Sequence, residues 1–369
     1  MSTRASLALL VLGGGSAIAA AIVDPADAAN AASQAWPAFV LVAGLLLIGA
    51  AAAREGVFAA AGTLASRAPG GAAVLLVVLL LVTAVVTAVL NLDTAVVFMT
   101  PVLLQAARQR GVPDGPFLYG TVFMANSASI LLPGSNLTNL IVLRHEHVTG
   151  SAFAATLAPT WAVAVAVTIA FVLVAFRRDL SGHAGGGTPD RVVFRPRAGT
   201  VGIAVAVVLV LVLANPALPV LGLGIAVALL TRLPLGRALA AVNPALLLGV
   251  LGAAVSLGAL ARSVGWISSL VDNAGRWETA GIAAGASVLV NNLPAAVMLS
   301  AHVPPHPRAL LLGLDLGPNL AVTGALSAVL WLQVARANGA RPSVLRYTLL
   351  GLVLVPLSLG LTLLLPVRL

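Results

Sequence analysis

The chain has 369 residues, 60% of them hydrophobic and only 8% charged, with a formal net charge of +9. Soluble domains carry about 25% charged residues, so this composition could not cover a surface facing water. All twenty basic residues are arginine, standing one or two at a time between apolar runs; this excludes a nucleic-acid partner and fits loops that fix membrane orientation. The absence of cysteine excludes disulfides, cysteine-ligated zinc and thiolate chemistry.

In chain order, apolar runs predict spans at 5–23, 36–53, 118–143, 153–176, 199–214, 217–231, 243–262, 309–335 and 345–366. Arg4 and Ala5–Val23 resemble a signal peptide with Ala19-Ala20-Ala21 as a cleavage site, but an uncleaved first span is the better reading. Two further stretches, 71–107 and 280–303, are interrupted at Asn91-Leu92-Asp93 and at Asn291-Asn292-Leu293-Pro294. Their short second arms predict re-entrant hairpins, whose irregular backbone must be covered by protein or line a polar cavity.

With the N-terminus in the cytoplasm, the inner loops hold Arg4, Arg54, Arg67, Arg108, Arg110, Arg177, Arg178, Arg191, Arg195, Arg197, Arg232, Arg237, Arg336, Arg341 and Arg346. The outer loops hold Arg144, Arg262, Arg276, Arg308 and Arg368. Fifteen against five supports this orientation and the hairpin assignment together, and the expected location is multi-pass in the cell (cytoplasmic) membrane. The expected organisation is an N-terminal transmembrane half over 1–176, a cytoplasmic linker over 177–198 containing Gly185-Gly186-Gly187, and a C-terminal half over 199–369.

The halves repeat one another. Pro37-Ala38 and Pro244-Ala245 open equivalent spans, Leu90–Val97 aligns with Val290–Val297, and Pro133-Gly134-Ser135 aligns with Thr323-Gly324-Ala325. The repeat units cover about 37–143 and 244–335, with five crossings between their starts, so the copies are inverted. The expected fold is an all-α membrane protein, an inverted-repeat secondary transporter with about nine to ten transmembrane helices and two re-entrant hairpins with broken helices.

Half-helix ends at such breaks present N–H groups or carbonyls to a solute or ion. The candidate substrate- and ion-binding residues are Asn91, Asp93 and Thr94 at the first break, with Asn126, Ser135, Asn136, Thr138 and Asn139 on the first broken span. The second set is Asn291 and Asn292, with Asp315, Asn319 and Thr323 on the second broken span. Ser127, Ser129 and Ser327 add hydroxyls to the broken spans. Of eleven acids only Asp93 and Asp315 lie in apolar surroundings. An ionised carboxylate at a helix centre costs roughly 2.5 to 3.5 kcal/mol on insertion scales, so such residues tend to carry protons or ions; each could instead only cap a half-helix. His145 and His147 around Glu146, and His302 with His306, read as solvated loops, and no metal site is expected. Trp36, Trp266 and Trp331 read as interface markers, and Gly13-Gly14-Gly15 is not a phosphate loop. No triad, metal cluster or phosphate loop points to an enzyme, and no cofactor is implied.

At Asn91–Pro101, Ala125–Asn139, Asn291–Ala295 and Leu314–Leu332 the sequence resembles the arsenite-efflux permease (ArsB) branch of the ion transporter superfamily. That superfamily also includes divalent-anion/sodium symporters and some sodium/proton antiporters. The resemblance covers about 36–366 and implies proton-coupled export of trivalent arsenic or antimony hydroxides (arsenite or antimonite) by a protein often found as a homodimer. Sodium/proton exchange or small-anion transport is the alternative on the same fold. The sequence departs from the family at Gly324-Ala325-Leu326-Ser327-Ala328, which has two hydroxyls fewer, and at Asn126, which stands where an acid is common.

Overall fold

A computed structural model describes residues 3–66, 70–143, 149–181, 197–213, 215–264 and 266–367. Arg67, Arg144, His145, Glu146, His147, Gly185 to Gly187, Arg191, Arg195 and Arg368 lie outside the described residues, as does the side chain of Trp266.

The described chain is helical. The N-terminal half comprises α1 (Thr3–Val23), α2 (Pro25–Arg54), α3 (Val57–Ser66), α4 (Ala72–Val89), α5 (Leu92–Gln109), α6 (Asp114–Ala128), α7 (Leu137–Val142), α8 (Gly150–Ala175) and the single turn α9 (Arg177–Leu180). The C-terminal half comprises α10 (Ala198–Val212), α11 (Ala217–Leu230), α12 (Leu235–Val242), α13 (Pro244–Ser263), α14 (Trp266–Asp272), α15 (Arg276–Val290), α16 (Asn292–Leu299), α17 (Pro307–Leu316), α18 (Leu326–Ala337) and α19 (Val344–Leu364).

Six segments, Ser6–Val23, Pro25–Arg54, Ala72–Val89, Gly150–Ala175, Leu235–Ser263 and Val344–Leu364, are long and apolar enough to cross a bilayer. The predicted spans at 199–214 and 217–231 are shorter: α10 has 15 residues and α11 has 14. At 1.5 Å per residue they reach about 22 Å, less than the ~30 Å hydrocarbon core. Three short helices were not expected from the apolar runs: α3 and α14 stand between span and hairpin, and α12 precedes the opening span α13. None of the residues of α12 is buried.

Both expected breaks exist. Between α4 and α5 the chain passes through Asn91 in extended conformation, φ −179°. Between α15 and α16 it turns at Asn291 with φ +77°, left-handed territory that asparagine tolerates better than most residues. The first hairpin's second arm is longer than expected: α5 has 18 residues against eight in α16. Its extra turns carry Gln105, Arg108 and Gln109, and Arg108 pairs with Asp114 at 2.7 Å. The broken spans are as expected, with 3-10 turns at Pro133–Ser135, Gly317–Leu320 and Val322–Gly324.

Asparagine starts three of the half-helices, α5, α7 and α16, by accepting backbone N–H groups that have no partner in the first turn. Asn91 Oδ1 accepts from Thr94 N at 2.6 Å, Asn136 Oδ1 from Thr138 N at 3.4 Å, and Asn291 Oδ1 from Leu293 N at 3.3 Å. The opening spans α2 and α13 support the second arms through glycine. A Cβ on Gly49 would sit 2.6 Å from the Thr94 methyl, and Gly258 faces Val297 on α16 in the same way.

Two apolar cores form, and the repeats exchange parts between them. The first gathers Leu75, Leu79, Met99, Phe117 and Phe123 with Ala328 and Trp331 of α18 and Tyr347 of α19. The second gathers Ala254, Leu293, Val297, Leu310 and Leu314 with Leu137, Ile141 and Val142 of α7. The second arm of each broken span is therefore buried in the core of the opposite repeat. Trp331 is fully buried, donating to Leu118 O at 2.8 Å and packed at a tilt against Tyr119 and Tyr347, so it does not mark an interface. Trp36 is 41% exposed.

Loop contacts sort the arginines into two faces. Arg54 donates to Arg232 O, Arg108 to Asn338 O, and Arg346 pairs with Asp179, all within the inner set. On the opposite face Arg262 donates to Gln34 Oε1, and Arg308 to Leu365 O and Val367 O. Arg308 is not a loop charge. It is buried in the first turn of α17 and satisfies carbonyls at the end of α19, where a cation is favoured.

Candidate functional site

The polar residues of the two broken spans meet in one buried network. Asn126 donates from Nδ2 to Asn319 Oδ1 at 2.8 Å, and Ser327 Oγ donates to Asn126 Oδ1 at 2.9 Å. Asn319 Nδ2 reaches Ser127 Oγ at 3.4 Å, and Thr168 of α8 donates to the same hydroxyl at 2.8 Å. Ser129 joins this group to a second one, donating to Asn126 O at 2.8 Å and accepting from Asn136 Nδ2 at 3.3 Å. Asn136 Nδ2 also reaches Asp315 Oδ1 at 2.8 Å, and Thr138 Oγ1 donates to that oxygen at 2.5 Å.

The duplicated geometry is visible in these bonds. The hydroxyl near the start of each second arm, Thr138 on α7 and Ser327 on α18, donates to the residue near the end of the opposite repeat's first arm. The acceptor is an acid in one case, Asp315, and an amide in the other, Asn126. Every residue of the network is at most 1% exposed.

Other expected residues have structural partners. Ser135 Oγ donates within its loop, to Leu132 O at 2.6 Å and to Ser129 O. Asn139 Nδ2 closes the same loop on Ser129 O at 2.8 Å, while its Oδ1 has no partner among the described residues. Asn291 and Thr323 form a separate pair: Asn291 Nδ2 donates to Thr323 O at 3.2 Å, and exposed Thr323 donates to Val288 O at 2.9 Å. Asn292 is buried in the first turn of α16. These three are not hydrogen-bonded into the network.

The first break is different again. Asn91 Nδ2, Asp93 Oδ1, Thr94 Oγ1 and the nearby Thr87 Oγ1 are all buried without a partner among the described residues. Buried polar groups are nearly always hydrogen-bonded, so four such atoms around one break make it the candidate binding place. Asp93 also lines a cavity of about 550 Å³. Its lining includes Arg54, Arg237 and Leu233 of the inner-set face, Asn243 and Gln333. Neither Arg54 nor Arg237 makes an ion pair among the described residues. Asp93 thus shares a cavity wall with inner-set arginines, while Asp315 is hydrogen-bonded by Asn136 and Thr138.

Sequence reasoning missed Thr168, a lone hydroxyl in an apolar helix, and the cavity residues Arg54, Arg237, Asn243 and Gln333. Lone hydroxyls in apolar spans are common and carry no signal. The arginines were legible only as loop charges.

A helical membrane fold with paired breaks and a polar midpoint points to a transporter, and comparison decides the family. Residues 1–360 match the model of the CitMHS family, described as Citrate transporter. The chain belongs to this family. It is thus a multi-pass membrane protein of a transporter family and not an enzyme. It is also similar to the silicon efflux transporter LSI3 of Oryza sativa subsp. japonica, 27% identical over 110 residues, which are 30% of this chain and 22% of that protein. The matched segment thus spans about a fifth of that relative's length. Among solved structures, the Alcanivorax borkumensis YdaH transporter, whose topology is described as unusual, superposes with a TM-score of 0.57. The match has 14% identity and covers 90% of this chain and 86% of that one, a likeness of fold.

Proposed function

We propose that the chain is a proton-coupled exporter of small, neutral, polyhydroxylated oxyacids, arsenite and antimonite foremost, in the cell (cytoplasmic) membrane with its N-terminus in the cytoplasm. The observation that carries this reading is the set of unpartnered atoms at the first break, with Asp93 on the cavity wall. Asp93 takes a proton from one side and releases it to the other as the hairpin-bearing repeats move against their surroundings. Asn136, Asn139, Asn291 and Asn292 line the solute path at successive stages. Arsenous acid behaves as a small triol at neutral pH, and amide and hydroxyl groups can hydrogen-bond it. The network contains no basic side chain, so it does not favour a di- or tricarboxylate, and a cysteine-free path cannot trap the metalloid. The similarity to a silicon efflux transporter supports a hydroxylated solute.

Uptake of radiolabelled arsenite into everted vesicles tests the reading. The unmodified protein is expected to give uptake that depends on the proton gradient, and Asp93→Asn is expected to abolish the dependence. Wild-type uptake that ignores the gradient would sink the coupling, and no uptake at all would sink the substrate.

A second reading is transport of a small carboxylate anion, with sodium or protons as the coupling ion. Arg54 and Arg237 on the cavity wall and the family description favour it, because cationic groups over low-dielectric walls concentrate anions. Proteoliposomes loaded with sodium or acid and offered radiolabelled citrate separate the two, since only this reading predicts uptake that falls with Arg54→Gln and Arg237→Gln.

A further inference from the structure

On the outer surface of the bundle, α8 and α19 leave a groove of about 410 Å³ between them. Val167, Phe171 and Val174 line one side and Val353, Leu357 and Leu361 the other, and no polar side chain is among the lining residues. Val174 is 65% exposed and Val353 59%. The α8 wall, from Val167 to Ala175, is ~12 Å long at 1.5 Å per residue, close to the ~15 Å hydrocarbon depth of one leaflet.

The groove ends at a basic patch. Two residues beyond Ala175 come Arg177 and Arg178, both exposed. The acid beside them, Asp179, lies 3.9 Å from Arg346, whose guanidinium sits 4.7 Å from the centre of the Phe176 ring. Arg346 thus occupies the patch's acid, and Arg177 and Arg178 make no ion pair among the described residues.

We propose that this groove is a binding site for an anionic phospholipid, with one acyl chain between α8 and α19 and the phosphate on Arg177 and Arg178. Chain length, apolar lining and charge complementarity match a lipid at headgroup depth. A second copy of this chain fits less well. A stable interface needs on the order of 1,000 Å² of matching surface, and a two-fold contact here would bring the arginine pairs of both copies together.

Native mass spectrometry of the full chain in detergent, titrated with phosphatidylglycerol and separately with phosphatidylcholine, tests the site. Near-surface arginines favour anionic lipid by about five-fold each, so the unmodified protein is expected to prefer phosphatidylglycerol by roughly 5- to 25-fold. Arg177→Gln with Arg178→Gln is expected to erase that preference while leaving a lipid bound. Leu357→Trp, which fills the groove at a half-exposed position, is expected to lose the bound lipid with the arginines intact. Glycerol phosphate, which has no acyl chain, is expected to give no adduct. Equal binding of the two lipids by the unmodified protein, or a preference that survives both variants, would overturn the proposal. So would a dimer peak that Leu357→Trp removes while lipid binding persists, since the groove would then seat a second copy.

Discussion

Thr138 Oγ1 donates a hydrogen bond to Asp315 Oδ1 at 2.5 Å, joining the two repeats across 177 positions of sequence. Asn136 donates to the same oxygen, while Oδ2 has no partner among the described residues. Hydrogen bonds to a carboxylate contribute about 1.5–3 kcal/mol, and a buried acceptor stripped of its donor keeps its desolvation cost. Thr138→Val is therefore expected to destabilise the protein by roughly 1–3 kcal/mol, and Thr138→Ser to stay near the original. Thermal unfolding in detergent, followed by light scattering and tryptophan fluorescence, reads the difference. Equal melting of the valine and serine variants would show that the bond does not hold the repeats.

The equivalent place in the other repeat is occupied by Asn126. Its Nδ2 donates to Asn319 Oδ1, so Asn126→Asp places an acceptor against an acceptor unless the new carboxyl is protonated or the Asn319 amide turns over. An ionised acid there loses a bond that the protonated acid keeps. The variant is expected to be closest to the original in stability at acidic pH and to fall behind as pH rises. Melting curves across pH check the sign, and a deficit that shrinks with rising pH would contradict the assigned geometry.

On the face opposite the cavity, buried Gln34 ties α2 to α13 and α16. It accepts from Arg262 and donates to Ser300 O at 3.0 Å and Ser300 Oγ at 2.9 Å. These contacts hold the three helices together on that face. Because the chain has no cysteine, one introduced by Ala301→Cys reports local access without background. Arg262→Ala or Gln34→Ala is expected to speed labelling of that cysteine by a membrane-impermeant maleimide several-fold. Unchanged labelling would mean that the contacts do not limit access there.

Packing of α11 on α2 depends on glycine. A Cβ on Gly224 would lie 2.6 Å from Gly44 O, whereas one on Gly222, half a turn away, meets nothing within 4 Å. Gly224→Leu is expected to lower stability by at least the roughly 1–3 kcal/mol typical of overpacking, and Gly222→Leu to be tolerated. Comparing melting temperatures of the pair isolates steric contact from hydrophobicity, since both variants add the same side chain.

Much of this arrangement was legible before any coordinates. Long apolar runs located α1, α2, α8, α13 and α19, and the Asn-Leu-Asp and Asn-Asn-Leu-Pro interruptions located both hairpin breaks. The residue types at the breaks were readable because a capped half-helix needs a short side-chain acceptor. Pairing was not readable. That Asn126 would meet Asn319, or Thr138 meet Asp315, depends on how the two repeats interlock, and one sequence carries no signal for it. Trp331 and Arg308 were misplaced for a related reason. Each sits near the end of an apolar run, where a tryptophan suggests lipid headgroups and an arginine a loop, yet each is buried because another element covers it. The helix α12 escaped notice because eight amphipathic residues are too few to stand out beside apolar spans.

The exchange of α7 and α18 between the two cores sets an order of events at the ribosome. Asn136 and Thr138 emerge 179 and 177 residues before Asp315. At ~5–20 residues per second that is a wait of about 9–35 s. During it the short half-helix α7 has no permanent place in the lipid, since the core that will bury it has not been made. The first half of the newborn chain must therefore stay open until its last helices arrive. Cutting the gene between the halves would yield two pieces that mature only together.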